Sequence, residues 1–219
     1  MLREKDIRRA LRGYVQLEYA GQPATVILEE LALCQHEARV DLAAVNGRLH
    51  GYEIKSPQDT LQRLPSQAEV YGRALDTVTI ALTAEHYPHA KRILPQWWGI
   101  VEAVEHCGEP VILLRRKPRQ NPGVDLNAVV QFLWRDEALS VLEEHGLDTG
   151  LRSKPRSTLW RKLVESLPAD ILAEAVRARI KLRGDWRSDS QRRSGDDSYR
   201  PRAKSLHSQA PLVLKRIVE

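Results

Sequence analysis

The chain has 219 residues, with 34 Lys+Arg against 29 Asp+Glu, and the formal charge of +5 hides a split. Residues 1–150 carry 17 basic and 21 acidic side chains, whereas residues 151–219 carry 17 basic and 8 acidic ones. A mildly acidic body with a basic C-terminal third argues against a uniformly basic coat protein. It fits a folded core with an electrostatic arm for phosphate or an acidic partner, the plain alternative being a solvated arginine-rich tail. Apolar runs such as Val111–Leu114 fall far below the ~20 residues of a membrane span. No apolar stretch follows the charged N-terminus, so a secretory signal is not expected. Cys34 and Cys107 are the only cysteines, too few for a disulfide framework or a structural zinc site. A cytoplasmic protein of one sizeable domain plus an appendage is expected, with no membrane segment.

In chain order, Leu2, Ile7, Leu11, Val15 and Leu17 recur among charges and predict an amphipathic helix over 2–19. Gly21 and Pro23 break it. The apolar stretch Thr25–Cys34, with Glu29 and Glu30 inside it, reads as a second helix. Segments 39–45 and 48–55 are β-rich and flank Asn46-Gly47, a hairpin signal. Ser56-Pro57, with Asp59 three residues after the serine, resembles a helix start. Pro65 interrupts that segment and opens a fresh helix to about Leu75. Strands are predicted over 77–82, 97–104 and 111–117, with a short helix at 88–94 and a turn at 107–110. The order α-α-β-β-α-β-α-β-β is an α/β (α+β) fold, a mixed β-sheet flanked by helices. Residues 115–122 form a basic, proline-bearing boundary. Helices are predicted over 126–145 and 158–182, a disordered basic linker over 184–210, and an apolar C-terminal segment over 211–219.

Chemistry concentrates on the hairpin, where Asp41 lies on the first strand and Glu53 and Lys55 lie at the end of the second. Two carboxylates hold a divalent cation through hard oxygen ligands. Such an ion activates water, and a neighbouring lysine orients it or serves as base. Side-chain alternation puts Glu53 and Lys55 on the face of Gly51 and Leu49, with Ile54, Tyr52 and His50 on the other. A two-residue Asn-Gly turn would set Asp41 on the wrong face. An odd-length loop is therefore expected, with Gly47 left-handed beside a bulge and Asp41 opposite Gly51.

These residues resemble the PD-(D/E)XK nuclease superfamily, the restriction-endonuclease-like fold. The resemblance rests on Arg39-Val40-Asp41 and Gly51-Tyr52-Glu53-Ile54-Lys55-Ser56, and on Gln67 and Tyr71, which resemble the Gln-x-x-x-Tyr helix motif of the RecB-type branch. The stretch from Arg39 to about Ile100 is also similar to a small bacterial family of predicted nucleases. The resemblance implies a nuclease-like core over 1–120 and a helical extension over 121–183. It implies Mg²⁺ (or Mn²⁺) held by Asp41, Glu53, the Ile54 carbonyl and Glu30, with Lys55 acting on the attacking water. Gln67 and Tyr71 would support the lysine or touch a phosphate. Val40 stands where the family's proline belongs, and leaves the carboxylate in place.

The function so implied is metal-dependent hydrolysis of nucleic-acid phosphodiesters, with DNA the favoured substrate and a homodimer or partner protein compatible. The rivals are a non-catalytic nucleic-acid-binding or interaction protein on the same fold, and a nuclease subunit that needs a partner. Taken singly, the same residues also fit a solvated cross-strand pair. His86 and His89 have no third ligand at suitable spacing and read as surface residues. Trp97 and Trp98 read as core, and the run Arg115, Arg116, Lys117 and Arg119 suits phosphate or a solvated surface.

Overall fold

A computed structural model describes residues 2–183. The linker expected at 184–210 and the apolar segment expected at 211–219 lie outside the described residues. The fold is mixed α+β, a six-stranded sheet flanked by helices with a helical C-terminal part. Helix α1 (Glu4–Glu18) forms where the apolar spacing predicts it and buries Ile7, Leu11 and Val15, one turn apart. Each such side chain contributes about 1.5–3 kcal/mol on leaving water.

The strands are β1 (Val26–Leu33), β2 (Ala38–Val45), β3 (Leu49–Lys55), β4 (Thr77–Leu82), β5 (Gly99–His106) and β6 (Glu109–Arg116). They lie side by side in sequence order. Pairing is antiparallel from β1 to β3 and between β5 and β6, and parallel through β3, β4 and β5. The parallel links require crossovers, supplied by α2 (Leu64–Ala74) and α3 (Tyr87–Ile93). Alternation sorts the strands between two cores. Tyr52, Ile54, Leu42, Ala44, Ala81 and Val101 pack against α1. On the other face Leu49, Val78, Ile80, Leu82 and Ile100 pack with Tyr71 and Leu75.

That second core continues into α4 (Leu126–Val129), a 3₁₀ turn (Val130–Phe132), α5 (Arg135–Glu144), α6 (Arg156–Ser166) and α7 (Ala169–Leu182), through Leu159, Leu163, Leu172, Val176 and Ile180. The connection leading into these helices is anchored by buried Asn121. Its side-chain amide donates to the carbonyls of Gly72 (2.7 Å) and Leu75 (2.8 Å), satisfying acceptors at the end of α2.

Several expectations fail for physical reasons. The segment expected to be a helix over 25–34 instead holds strand β1, Val26–Leu33. Ser56 and Asp59 do make the cap contact, the Ser56 N–H donating to Asp59 Oδ2 at 2.8 Å, but the chain closes a turn there. The fresh helix expected at Pro65 does form, because proline is costly inside a helix and harmless in its first turn, and α2 begins at Leu64. The single helix expected over 126–145 is broken at Leu133–Trp134, where the Trp134 N–H donates to Glu137 Oε2 (2.8 Å) and a new helix starts. The one expected over 158–182 divides at Pro168, which has no N–H to continue the ladder. Trp97 and Trp98 precede β5 rather than lying in it, though Trp98 is fully buried as expected of core.

The β2–β3 loop is odd in length, Asn46-Gly47-Arg48, and closes with the Asn46 N–H on the Arg48 carbonyl. Gly47 is not left-handed, and the ladder from Val45↔Leu49 to Leu42↔Tyr52 has no bulge. Ala43, not Asp41, stands opposite Gly51. Without a bulge the expected register would leave a single residue for the turn. Three residues are used, and continuing that register brings Asp41 level with Glu53.

Candidate functional site

The site forms where the β1–β2 ladder is interrupted. Glu29 pairs with Leu42 and Leu31 with Val40, and the intervening Glu30 and Asp41 are skipped. Glu30 is left-handed at φ 56°, a conformation that costs a non-glycine residue about 1–3 kcal/mol. The alternation slips by one on both strands at this point. Leu28 and then Leu31 and Leu33 reach the same core, as do Ala43 and then Val40. The pairing interruption leaves two carboxylates facing one arginine.

That arginine is Arg8 of α1. Its guanidinium contacts Glu30 Oε1 at 2.9 Å, Asp41 Oδ1 at 2.7 Å and Glu4 Oε1 at 2.9 Å. Arg39 Nε takes the other Glu30 oxygen at 2.6 Å. Asp41 Oδ2 accepts the Ile54 N–H at 2.8 Å, so a side chain replaces strand β2 as the partner of that amide. Burial tends to lower the Arg8 pKa, but Glu4, Asp41 and Glu30 outweigh it and hold it above its ordinary value. Burial, and then the Glu53 charge, push Asp41 up to about 6 against the pull of the Ile54 amide and Arg8.

Deeper in the sheet, Glu53 and Lys55 are 3% and 5% exposed. Glu53 Oε1 accepts from Lys55 Nζ (2.6 Å) and Gln67 Nε2 (2.8 Å). The Tyr71 hydroxyl donates to Glu53 Oε2 (2.5 Å), with the Arg39 carbonyl (2.8 Å) as its alternative acceptor. Burial and the Glu53 charge raise the Tyr71 pKa, which keeps its proton in place. Gln67 and Tyr71 project from one face of α2, one turn apart, as their spacing predicts.

The structure thus gathers Asp41, Glu53, Lys55, Gln67 and Tyr71 around strands β2 and β3, with Ile54 taking part through its amide. Glu30 joins through Arg8. Arg8 itself is the residue that sequence reasoning passed over. Its only local signal is the Glu4–Arg8 pair one turn apart, which does not reveal a contact with β1 and β2.

A divalent ion needs carboxylate oxygens free to face it. Here both oxygens of Asp41 and both of Glu53 accept hydrogen bonds from N–H or O–H groups, and two of those donors are cations. Among the described residues, no group of three or more His, Cys, Asp or Glu side chains is placed to hold a metal. As arranged, the residues do not fit the ion. The chemistry on display is internal neutralisation of buried carboxylates.

Other candidates resolve plainly. His86 Nε2 donates to the Ser56 carbonyl at 2.9 Å, and His89 is exposed. Arg115 pairs with Glu102 (2.6 Å), and Arg116 donates to the Trp98 and Pro95 carbonyls. Two of the four side chains of that basic run therefore have structural partners. A different concavity, of about 450 Å³, opens beside the start of α6, and Gln35, Asn127, Gln131, Arg156, Ser157 and Arg161 are among the residues lining it. None of its lining residues is acidic.

Residues 1–205 match the family described as Bacteriophage P4 protein cII. Protein cII of Enterobacteria phage P4 is 26% identical over 147 residues, covering 67% of this chain and 55% of that protein. The chain thus spans about half the length of the curated relative it matches. No solved structure matches it. These findings overturn the PD-(D/E)XK resemblance and, with it, the nuclease function, the enzyme class and the hydrolase description. The resemblance stood on a few short motifs, whereas the family match runs through both the sheet and the C-terminal helices.

Proposed function

The chain belongs to the bacteriophage P4 protein cII family, and from that premise we propose that it is a non-catalytic nucleic-acid-binding protein gripping phosphate through its C-terminal helices. The observation that carries this is the concavity beside α6, with two guanidinium groups, a hydroxyl and three amide side chains among its lining and no carboxylate. Arg156 is set for such a role. Its guanidinium lies 4.5 Å above the Trp160 ring, so its orientation is fixed by an aromatic face rather than by an acid. Trp160 is itself held by an indole N–H donated to the Leu133 carbonyl at 3.1 Å.

Charge distribution supports the same reading. Of the C-terminal arginines, Arg177, Arg179 and Arg183 are paired with Asp76, Glu144 and Glu137, Arg152 with Glu143, and Arg161 at 3.9 Å with Glu165. Four acids of the body are likewise taken up internally, Glu30 and Asp41 by Arg8, Glu53 by Lys55, and Glu102 by Arg115. Arg156, held over an aromatic face, is the described arginine best placed for an outside anion, and phosphate contact of this kind is sequence-independent and salt-sensitive.

The test is fluorescence anisotropy with labelled duplex DNA and with RNA, using the full chain. Binding is expected at about 50 mM salt and should weaken steeply by about 200 mM. Arg156→Ala and Arg161→Ala should each flatten the slope of log affinity against log salt by about 0.9. Unchanged slopes in both variants would remove the concavity from the interface, and no binding to either nucleic acid at low salt would remove the function.

A further inference from the structure

The structure assigns Arg8 as the resident counter-cation of the Glu30–Asp41 pair, standing where a divalent ion would be required if the arginine were absent. This goes beyond nucleic-acid binding and does not depend on it. A guanidinium presents several N–H donors in a rigid planar fork, and one such group can bridge two carboxylates on different strands. Arg8 does so at 2.9 Å to Glu30 and 2.7 Å to Asp41. Mg²⁺ would instead need near-octahedral oxygen donors and usually retains several waters. The second oxygens of both acids are closed to it, one by Arg39 Nε and one by the Ile54 amide.

Arg8 is kept in place by the helix that carries it. Ile7 and Leu11, its neighbours on α1, are fully buried against the sheet. Glu4 holds the guanidinium from one turn earlier, and the Arg8 side chain is only 24% exposed. Withdrawing the guanidinium would remove the cation shared by Glu30 and Asp41 and leave Arg39 on Glu30 alone, so the repulsion between the two carboxylates would rise. A divalent cation is the simplest remedy for that repulsion.

Mn²⁺ binding to the native full chain and its variants, followed by electron paramagnetic resonance, tests the assignment. The native protein should show no bound Mn²⁺ that depends on Asp41, so Asp41→Asn should leave its spectrum unchanged. Arg8→Gln should acquire a Mn²⁺ that excess Mg²⁺ displaces and that a further Asp41→Asn abolishes. Its unfolding temperature should fall and recover on adding Mn²⁺. Arg8→Lys retains the positive charge and should acquire none. A native chain that binds Mn²⁺ and loses it on Asp41→Asn would overturn the assignment, even if Arg8→Gln failed to fold. A folded Arg8→Gln protein indifferent to Mn²⁺ would overturn it too.

Discussion

Glu53 is approached by an ammonium, an amide and a hydroxyl, from Lys55, Gln67 and Tyr71. Because the carboxylate is buried, removing a partner costs more than the pair is worth in sum. Lys55→Met should therefore lower stability by about 3–5 kcal/mol, while Lys55→Met with Glu53→Leu should restore much of it. Urea unfolding of both variants decides the matter, and a double variant no more stable than Lys55→Met would contradict this. Two other buried groups respond to acid in opposite directions. His50 is pinned between Thr79 Oγ1 (2.8 Å) and the Tyr52 hydroxyl (3.0 Å), and burial, then Arg48, lower its pKa to about 3. The unfolded chain binds that proton more readily, so stability should fall by up to about tenfold in the folding constant per pH unit below about 6.5. Asp41, raised to about 6, holds its proton more tightly when folded, and its share of stability should instead grow from pH 6 toward 4. Comparing unfolding free energies across this range, His50→Gln should flatten the acid loss and Asp41→Asn should steepen it.

At the scale of elements, close approach decides the tolerance of β5. A Cβ on Gly99 would lie 2.6 Å from Thr79 Oγ1 and 3.0 Å from the Pro118 backbone nitrogen. Gly99→Ala should cost about 1–3 kcal/mol by overpacking, measured by thermal or urea unfolding. An unchanged midpoint would show that the Pro118 segment yields freely. The same elements explain what the sequence could reveal. Helix α1, strands β2 to β6 and the start of α2 at Pro65 follow from periodicity and turn residues acting locally. Strand β1 does not, because the slip at Glu30 puts Leu28 and Leu31 on one core face three residues apart. That spacing is the one a helix would show. The left-handed residue is tied to Arg8 and Arg39 through its carboxylate, contacts that no local pattern carries.

For the whole molecule, the candidate cluster was legible as a set of neighbours. Hairpin alternation placed Glu53 with Lys55, and helical spacing placed Gln67 with Tyr71. What the cluster does was not legible, because the α1 arginine that neutralises it lies in a segment with no motif of its own. The charge split was visible from the outset, but which arginines are structurally engaged required the packing of α7 against α5. Native chain titrated against two duplexes of unrelated sequence, over a series of salt concentrations, addresses the proposed phosphate grip most directly. Affinities should fall linearly with log salt and be closely similar for the two sequences. Affinity that ignores salt, or no binding to either duplex at low salt, would contradict it.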